Sequence, residues 1–352
     1  MMGKQSQDPS LVAQPGDIVT INLQMTPENG YVPESLFDTH GQITFVLGWG
    51  NYLPGLHELV EGCGIGHEVN DVSVDAGWGA RQEDLLFEVS QSKLDRIVSK
   101  SQIEGRVQVG TTLTLPGNIQ VLVKEIRTNE VKDGNSGEQE TMIILDANPP
   151  LAGTSYNCSF QLLDITPLPT DMMEFASHNN ESEYPYRIAT FALGCFWGAE
   201  LAFARLPGVV GTQVGYSQGR TESPTYEQVC QGYTQHREAL MVIYDARQVS
   251  YLELMQLAIE RLEQSVSAME LHNLFQEADE DSIQYKYGFY YHTPHQQLEA
   301  SHFLDDSKNN RFGIELLPST KFYQAEEYHQ QYLYKGGQST KKGCKEVIRC
   351  FG

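Results

Sequence analysis

Residues 166–186, TPLPTDMMEFASHNNESEYPY, cut this chain in two. The stretch mixes prolines with a polar run, keeps no steady hydrophobic period and reads as a linker. The texture differs on its two sides. Residues 17–165, after a polar N-terminal tail at 1–16, are short β-rich runs with many glycines. DIVTINLQM, ITFVLG, GNIQVLVKEIR and SYNCSFQLLDI read as strands. PGLHELVEG reads as a short helix opened by Pro54 and stopped by Gly62, and SQSKLDRIVSK as a second helical stretch. Beyond the linker, strand and helix alternate. YRIATFALG, EALMVIYD and IQYKYGFYY are the strands. CFWGAELAFARLPG, SYLELMQLAIERLEQ and TPHQQLEASHFLDDSK are the helices, the last capped by Thr293. That order predicts an α+β fold, one sheet with helices packed on it.

A chain of 352 residues exceeds one small core. Its formal charge of −22 makes nucleic acid and anionic membranes poor partners. No apolar run approaches the roughly 18 residues of a spanning helix. Six cysteines are too sparse for a disulfide scaffold, so the expectation is reduced thiols in the cytoplasm, with any disulfide catalytic.

FALGCFWGAE, residues 191–200, places Cys195 where a strand gives way to a helix. Partial positive charge at a helix N-terminus favours thiolate, which suits a nucleophile. Gly194 and Gly198 allow close approach, and Phe196 and Trp197 can wall a small apolar pocket. The alternative is a buried cysteine in a tight turn with both rings in the core.

GCFWGAELAFARLPGVVGTQVGYSQG, SPTYEQVCQGYTQHREALMVIYD and AEEYHQQYLYKGG resemble, in order, the A-type peptide methionine sulfoxide reductases. The tail KKGCKEVIRCFG looks like the ending of plant-type members, and the resemblance covers roughly 187–352. It implies an α+β sandwich with a ferredoxin-like core that reduces methionine S-sulfoxide. Cys195 would attack the sulfoxide sulfur, Phe196 and Trp197 would cradle the methyl group, and Tyr226 and Tyr285 would bond the oxygen. Glu238 would give that oxygen a proton, its carboxyl held protonated by apolar surroundings. Singly, each of these residues also has a plain structural reading: Glu238 as a strand-end carboxylate beside Arg237, the tyrosines as sheet packing.

The family usually has Asp-x-Gly-x-Gln-Tyr-Arg around the second tyrosine. Here EDSIQYK keeps Tyr285, sets the aspartate on Glu280 or Asp281, and puts Ser282 and Lys286 for glycine and arginine. Reduction leaves a sulfenic acid that needs a second thiol. Cys344 and Cys350, in a Gly- and Lys-bearing tail able to swing, would supply it: one attacks, and the disulfide can pass to the other tail cysteine and then to thioredoxin, with no metal or organic cofactor. Zinc binding by the pair is the alternative, without a third ligand nearby. Cys230, in a helix-like run behind Tyr226, reads as a structural thiol.

Residues 17–165 resemble the FKBP-type prolyl isomerases of the SlyD-like kind. The carrying segments are LFDTHGQITFVLGWGNYLPGLHELVEG, DAGWGARQEDLLFEVSQSKLD and ILDANPPLAGTSYNCSFQLLDI, with an inserted flap domain at about 88–142. The resemblance implies a β-sheet domain whose apolar dish holds an X-Pro bond, here lined by Phe37, Asp38, Tyr52, Leu53, Leu56 and Trp78. Trp78 and Leu23 replace tyrosines and Cys158 an aromatic phenylalanine, which thins the dish; the insert resembles a chaperone module. Together the halves read as a reductase of oxidised or unfolded proteins and free methionine sulfoxide, with the first domain presenting substrate. A redox-sensing binding protein built on the first domain is the alternative, and a thiol peroxidase a third reading.

Overall fold

Alternation of buried and outward residues fixes the first sheet. In the structure, a computed structural model, strand β8 (Ser155–Thr166) buries Tyr156, Cys158, Phe160 and Leu162 on one face. It pairs antiparallel with β1 (Ile18–Pro27), which sets Leu23 opposite Phe160. β2 (His40–Val46) and β3 (Glu68–Asp75) complete the order β2-β1-β8-β3. Helix α1 (Pro54–Val60) turns Leu56 and Val60 into the core so formed, and Gly62 just beyond it takes φ +78°. The residues described are 11–28, 36–77, 79–98, 107–115, 119–130, 139–168, 184–273 and 283–349. Trp78, Glu280, Asp281, Cys350 and the middle of the 166–186 linker lie outside them.

Between β3 and β8 the chain builds a second sheet. β4 (Leu86–Ser90), α2 (Gln91–Ile97), β5 (Thr112–Leu115), β6 (Ile119–Glu130) and β7 (Gln139–Asp146) give the order β4-β7-β6-β5. Val89, Leu94, Leu113, Val121, Val123, Ile143 and Leu145 form its own core. Its strands reach past both ends of 88–142.

The remaining elements are β9 (Tyr186–Leu193), α3 (Phe196–Ala204), β10 (Val209–Ser217), α4 (Tyr226–Cys230), β11 (Arg237–Asp245), α5 (Tyr251–Asn273), β12 (Tyr287–Tyr291), α6 (Pro294–Asp305), β13 (Glu315–Pro318), β14 (Tyr323–Gln324) and α7 (Tyr332–Lys335). The sheet runs β13-β12-β9-β11-β10-β14. Its four central strands, taken in chain order as 1 to 4, lie 4-1-3-2 and are antiparallel throughout, which is the ferredoxin-like arrangement.

The structure departs from the sequence pattern at three elements. VVGTQVGYS was not read as a strand, because two glycines and three polar residues hide any period; all nine of its residues are buried in β10. IQYKYGFYY is not one strand, since Ile283–Tyr285 form a 3-10 turn before β12. Helix α3 is not one-sided: Gly198, Ala199, Glu200, Leu201, Ala202 and Phe203 are all buried.

The six-stranded sheet is covered on both faces, which is why β9 and β11 are apolar at consecutive positions. Phe191, Leu193, Leu240 and Val242 meet α3 and α5. Ile188, Met241 and Ile243, with Val210 of β10, pack instead on Ile18, Val46 and Trp49 of the first sheet. Asn51 adds polar contacts, its Nδ2 donating to the carbonyl and hydroxyl oxygens of Thr212, each at 3.0 Å. No helix among the described residues is long and apolar enough to cross a membrane.

Candidate active site

Cys195 is the N-cap residue of α3, its thiol partly exposed at the helix start. Gly194 before it takes φ +73°, a turn that L side chains resist. Phe196 and Trp197 follow in the first turn, their rings 6.4 Å apart, with Phe196 buried and Trp197 half-buried.

Glu238, at the start of β11 and opposite Tyr216, is 2% exposed. Its Oε2 accepts the N–H of Phe196 at 3.3 Å, which fixes the carboxyl beside the cysteine's own helix turn. Burial pushes its pKa up to about 8, against the opposing pull of that N–H. The group is therefore mostly protonated near neutral pH.

Tyr226 and Tyr285 reach the same place from different elements. Tyr226 opens α4, whose N-cap Thr225 and Gln228 form a reciprocal capping box. Burial first, then Glu238 and Tyr285, raise its phenol. Tyr285 is pushed up to about 12 by burial, with Glu238, Cys195 and Cys230 also acting on it. Cys195, Glu238, Tyr226 and Tyr285 therefore share one electrostatic neighbourhood. Cys230 stands at its rim, exposed at the end of α4, so no burial supports the reading of it as a structural thiol.

Sequence reasoning missed the 326–332 segment as a part of the site. Trp197 donates its Nε1–H to Nδ1 of His329 at 3.2 Å, and the imidazole lies 4.4 Å from the Tyr226 ring and 5.2 Å from Phe196. Burial lowers the pKa of His329, consistent with a neutral ring that accepts at Nδ1. Glu326 accepts from the Tyr226 N–H at 2.9 Å and the Tyr216 hydroxyl at 2.8 Å. Tyr332 stacks on Trp197 at 4.1 Å and 18°. EEYHQQY carries no local signal of this, because Glu326, His329, Gln330 and Gln331 bond partners 100 or more positions away. Gln330 bonds both the N–H and the carbonyl of Val214 in β10. Gln331, at φ +54°, donates its N–H and Nε2 to the buried carboxyl of Glu200.

The tail is elsewhere. Gly343 N–H donates to the carbonyl of Arg205, the C-cap of α3, at 2.8 Å, and Cys344 follows directly. Cys195 and Cys344 thus stand at opposite ends of one helix. In the first unit, Phe37, Tyr52, Leu53 and Leu56 do converge, joined by Tyr156. Asp38 lies half-buried beside them, and its carbonyl accepts the Tyr52 hydroxyl. Among the described residues no three His, Cys, Asp or Glu side chains are grouped to hold a metal.

Fold and site together define an α+β domain that presents a cysteine at a helix start, beside a neutral carboxyl and an aromatic wall. The sequence model for peptide methionine sulfoxide reductase matches residues 187–349. A peptide methionine sulfoxide reductase of Lactuca sativa is 43% identical over 174 residues, covering 47% of this chain and 64% of its own. The chain thus spans less than two thirds of that relative. Peptide methionine sulfoxide reductase A2-1 of Oryza sativa subsp. japonica is 43% identical over 171 residues, 47% of this chain and 86% of its own. A solved methionine sulfoxide reductase A of Corynebacterium diphtheriae shares 31% identity over 48% of this chain and 83% of its own, with a TM-score of 0.35. The chain belongs to the peptide methionine sulfoxide reductase family.

Proposed function

We propose that residues 187–352 reduce methionine S-sulfoxide, in peptides and free, to methionine. The observation that carries this is the buried Glu238 carboxyl, held up at about 8 and bonded to the first helical N–H after Cys195. A sulfoxide is a polar S–O dipole beside an apolar methyl, and its reduction needs a nucleophile, a proton donor and an apolar wall. Cys195 attacks the sulfur while Glu238 gives its proton to the oxygen, with Tyr226 and Tyr285 donating to it. The methyl group lies against Phe196 and Trp197. The sum is one sulfenic acid on Cys195 and one methionine. A tail thiol, Cys344 or Cys350, then attacks the sulfenic sulfur. An S–S bond forms, the S–O bond breaks and the oxygen leaves as water, carrying the thiol's proton. Thioredoxin, as a dithiol, takes the disulfide by exchange and ends oxidised. Glu280 or Asp281 belongs to the substrate rim by resemblance, and the altered EDSIQYK loop bears on substrate preference.

For residues 17–165 the supported reading is an FKBP/SlyD-like domain, with a linker at 166–186. Its antiparallel sheet, the short helix α1, the convergent Phe37, Tyr52, Leu53 and Leu56, and a separately cored insert favour it. Trp78 completes the dish by resemblance.

The test is turnover of the separate sulfoxide epimers with thioredoxin and its reductase. The wild type consumes the S epimer and spares the R epimer, and Cys195→Ser consumes neither. Residual turnover in that variant comparable to wild type would sink the assignment.

A further inference from the structure

The dish of the first unit is filled. Tyr334, which belongs to α7 of the reductase part, is 2% exposed and sits within the core formed by Phe37, Tyr52, Leu53, Leu56 and Tyr156. Its ring meets that of Phe37 edge-on at 6.2 Å. Two residues earlier, Tyr332 lies on Trp197 of the candidate active site. Residues two apart on a helix point to opposite sides, so one turn of α7 bridges the reactive centre and the dish.

The chain after Tyr334 follows the first unit as well. Gly337, at φ +93°, lies so near Pro150 that an added Cβ would come within 2.7 Å of its ring. Thr340 donates its N–H to the Leu36 carbonyl at 2.8 Å, and Lys342 its N–H to Asp38 at 3.4 Å. The same stretch is tied to the end of α3. Arg205 bonds the carbonyls of Ser339 and Glu346, and the Lys342 ammonium bonds those of Ala204 and Val209.

We propose that the aromatic dish of the first unit is a docking site for the chain's own C-terminal segment, with Tyr334 as its ligand, and that this docking parks Cys344. The consequence for recycling rests on the reading of Cys344 as a resolving thiol. From the C-cap to the N-cap of α3 is roughly 15 Å at 1.5 Å per residue. A disulfide needs Cα atoms within about 7 Å. Cys344 must therefore leave its parked position to meet Cys195, and the contacts at Leu36, Asp38 and the dish hold it back.

Amide hydrogen exchange on the full chain tests the docking without reference to any activity. Tyr334→Ala should speed exchange at Thr340 and Gly343 by roughly 10²-fold or more, the size expected for loss of a large buried ring. β9 and β11 should stay protected, and Tyr334→Phe should behave as wild type. If Tyr334→Ala fails to fold, Thr340→Pro deletes the N–H and the hydroxyl that bond the Leu36 carbonyl and should free Gly343 in the same way. Unprotected Thr340 and Gly343 in the wild type, or protection unchanged in both variants, overturns the docking. After a single oxidation of Cys195, Tyr334→Ala should close the Cys195–Cys344 disulfide at least several-fold faster. Faster exchange with an unchanged closure rate would overturn the parking while leaving the dish its ligand. A failed reductase reading shows separately, as no reduction of methionine sulfoxide by the wild type with a small thiol.

Discussion

Glu238 is where the chemistry and the electrostatics meet. Its proton sits on a carboxyl that burial holds up at about 8. As pH rises through that value the donor is lost, so the single-turnover rate of sulfoxide reduction should fall on the basic side. Glu238→Gln keeps a hydrogen-bond donor but cannot deliver a proton. It should fold and slow the chemistry by roughly 10²–10⁴-fold, the range for loss of a general acid, and it should lose that basic limb. A rapid-quench pH series on both proteins checks this. The sign for stability follows from the same proton. The folded pKa lies above the unfolded value of about 4.3, so Glu238 favours folding fully below that value. The contribution is lost as pH rises to about 8. At this scale the sequence was legible where one residue carries a distinct chemistry. Cys195 stood out from its strand-to-helix position, whereas Glu238, Tyr226 and Tyr285 came only with the family resemblance; the four lie in one electrostatic neighbourhood. His329, Glu326 and Glu200 were not named, because their work is to bond other residues of the site. A partner more than 100 positions away leaves no local pattern.

Elements were legible where burial is one-sided. β8 alternates and was read directly, as was α6, whose N-cap Thr293 accepts from the Gln296 N–H at 3.1 Å. β10 is buried all round, so it does not show the period that marks a half-buried element; α3, though buried on more than one face, was read as a helix. In β10 the glycines that obscured the strand are required by it. A Cβ on Gly215 would lie 2.3 Å from the Tyr323 carbonyl oxygen and 2.5 Å from the Phe322 ring. Gly215 pairs with Gln324 of β14, which leads straight into Glu326 and His329. Gly215→Ala should therefore cost about 1–3 kcal/mol, as overpacking does, and lower the rate with it by shifting the 326–332 segment. Urea unfolding and turnover measured on one preparation check both effects. Wild-type stability in that variant would mean β14 yields freely, contrary to the contacts described here.

For the whole molecule, the break at 166–186 separates two sequence textures, yet the parts are not loosely strung. Ile18, Val46 and Trp49 pack on Ile188, Val210, Met241 and Ile243, and Gly211 admits Val46, whose Cγ2 would lie 2.6 Å from an added Cβ. The sequence could not show this, because an apolar strand looks the same whether its second face meets a helix or another domain. Residues 166–352 produced alone would expose that face, and exposed apolar patches drive association. The fragment should melt lower than the full chain and self-associate, seen by calorimetry and by sedimentation. A monomeric fragment of unchanged stability would mean the shared core contributes little. The central claim is that Cys195 takes the sulfoxide oxygen and hands the oxidation to the tail. One equivalent of methionine S-sulfoxide, given to the fully reduced enzyme without any reductant, tests it by peptide mapping. The account predicts one methionine released per chain and a new disulfide, joining Cys195 to Cys344 or Cys350 or, after exchange, Cys344 to Cys350, with none after the R epimer. Methionine released with Cys195, Cys344 and Cys350 all left as free thiols would contradict it.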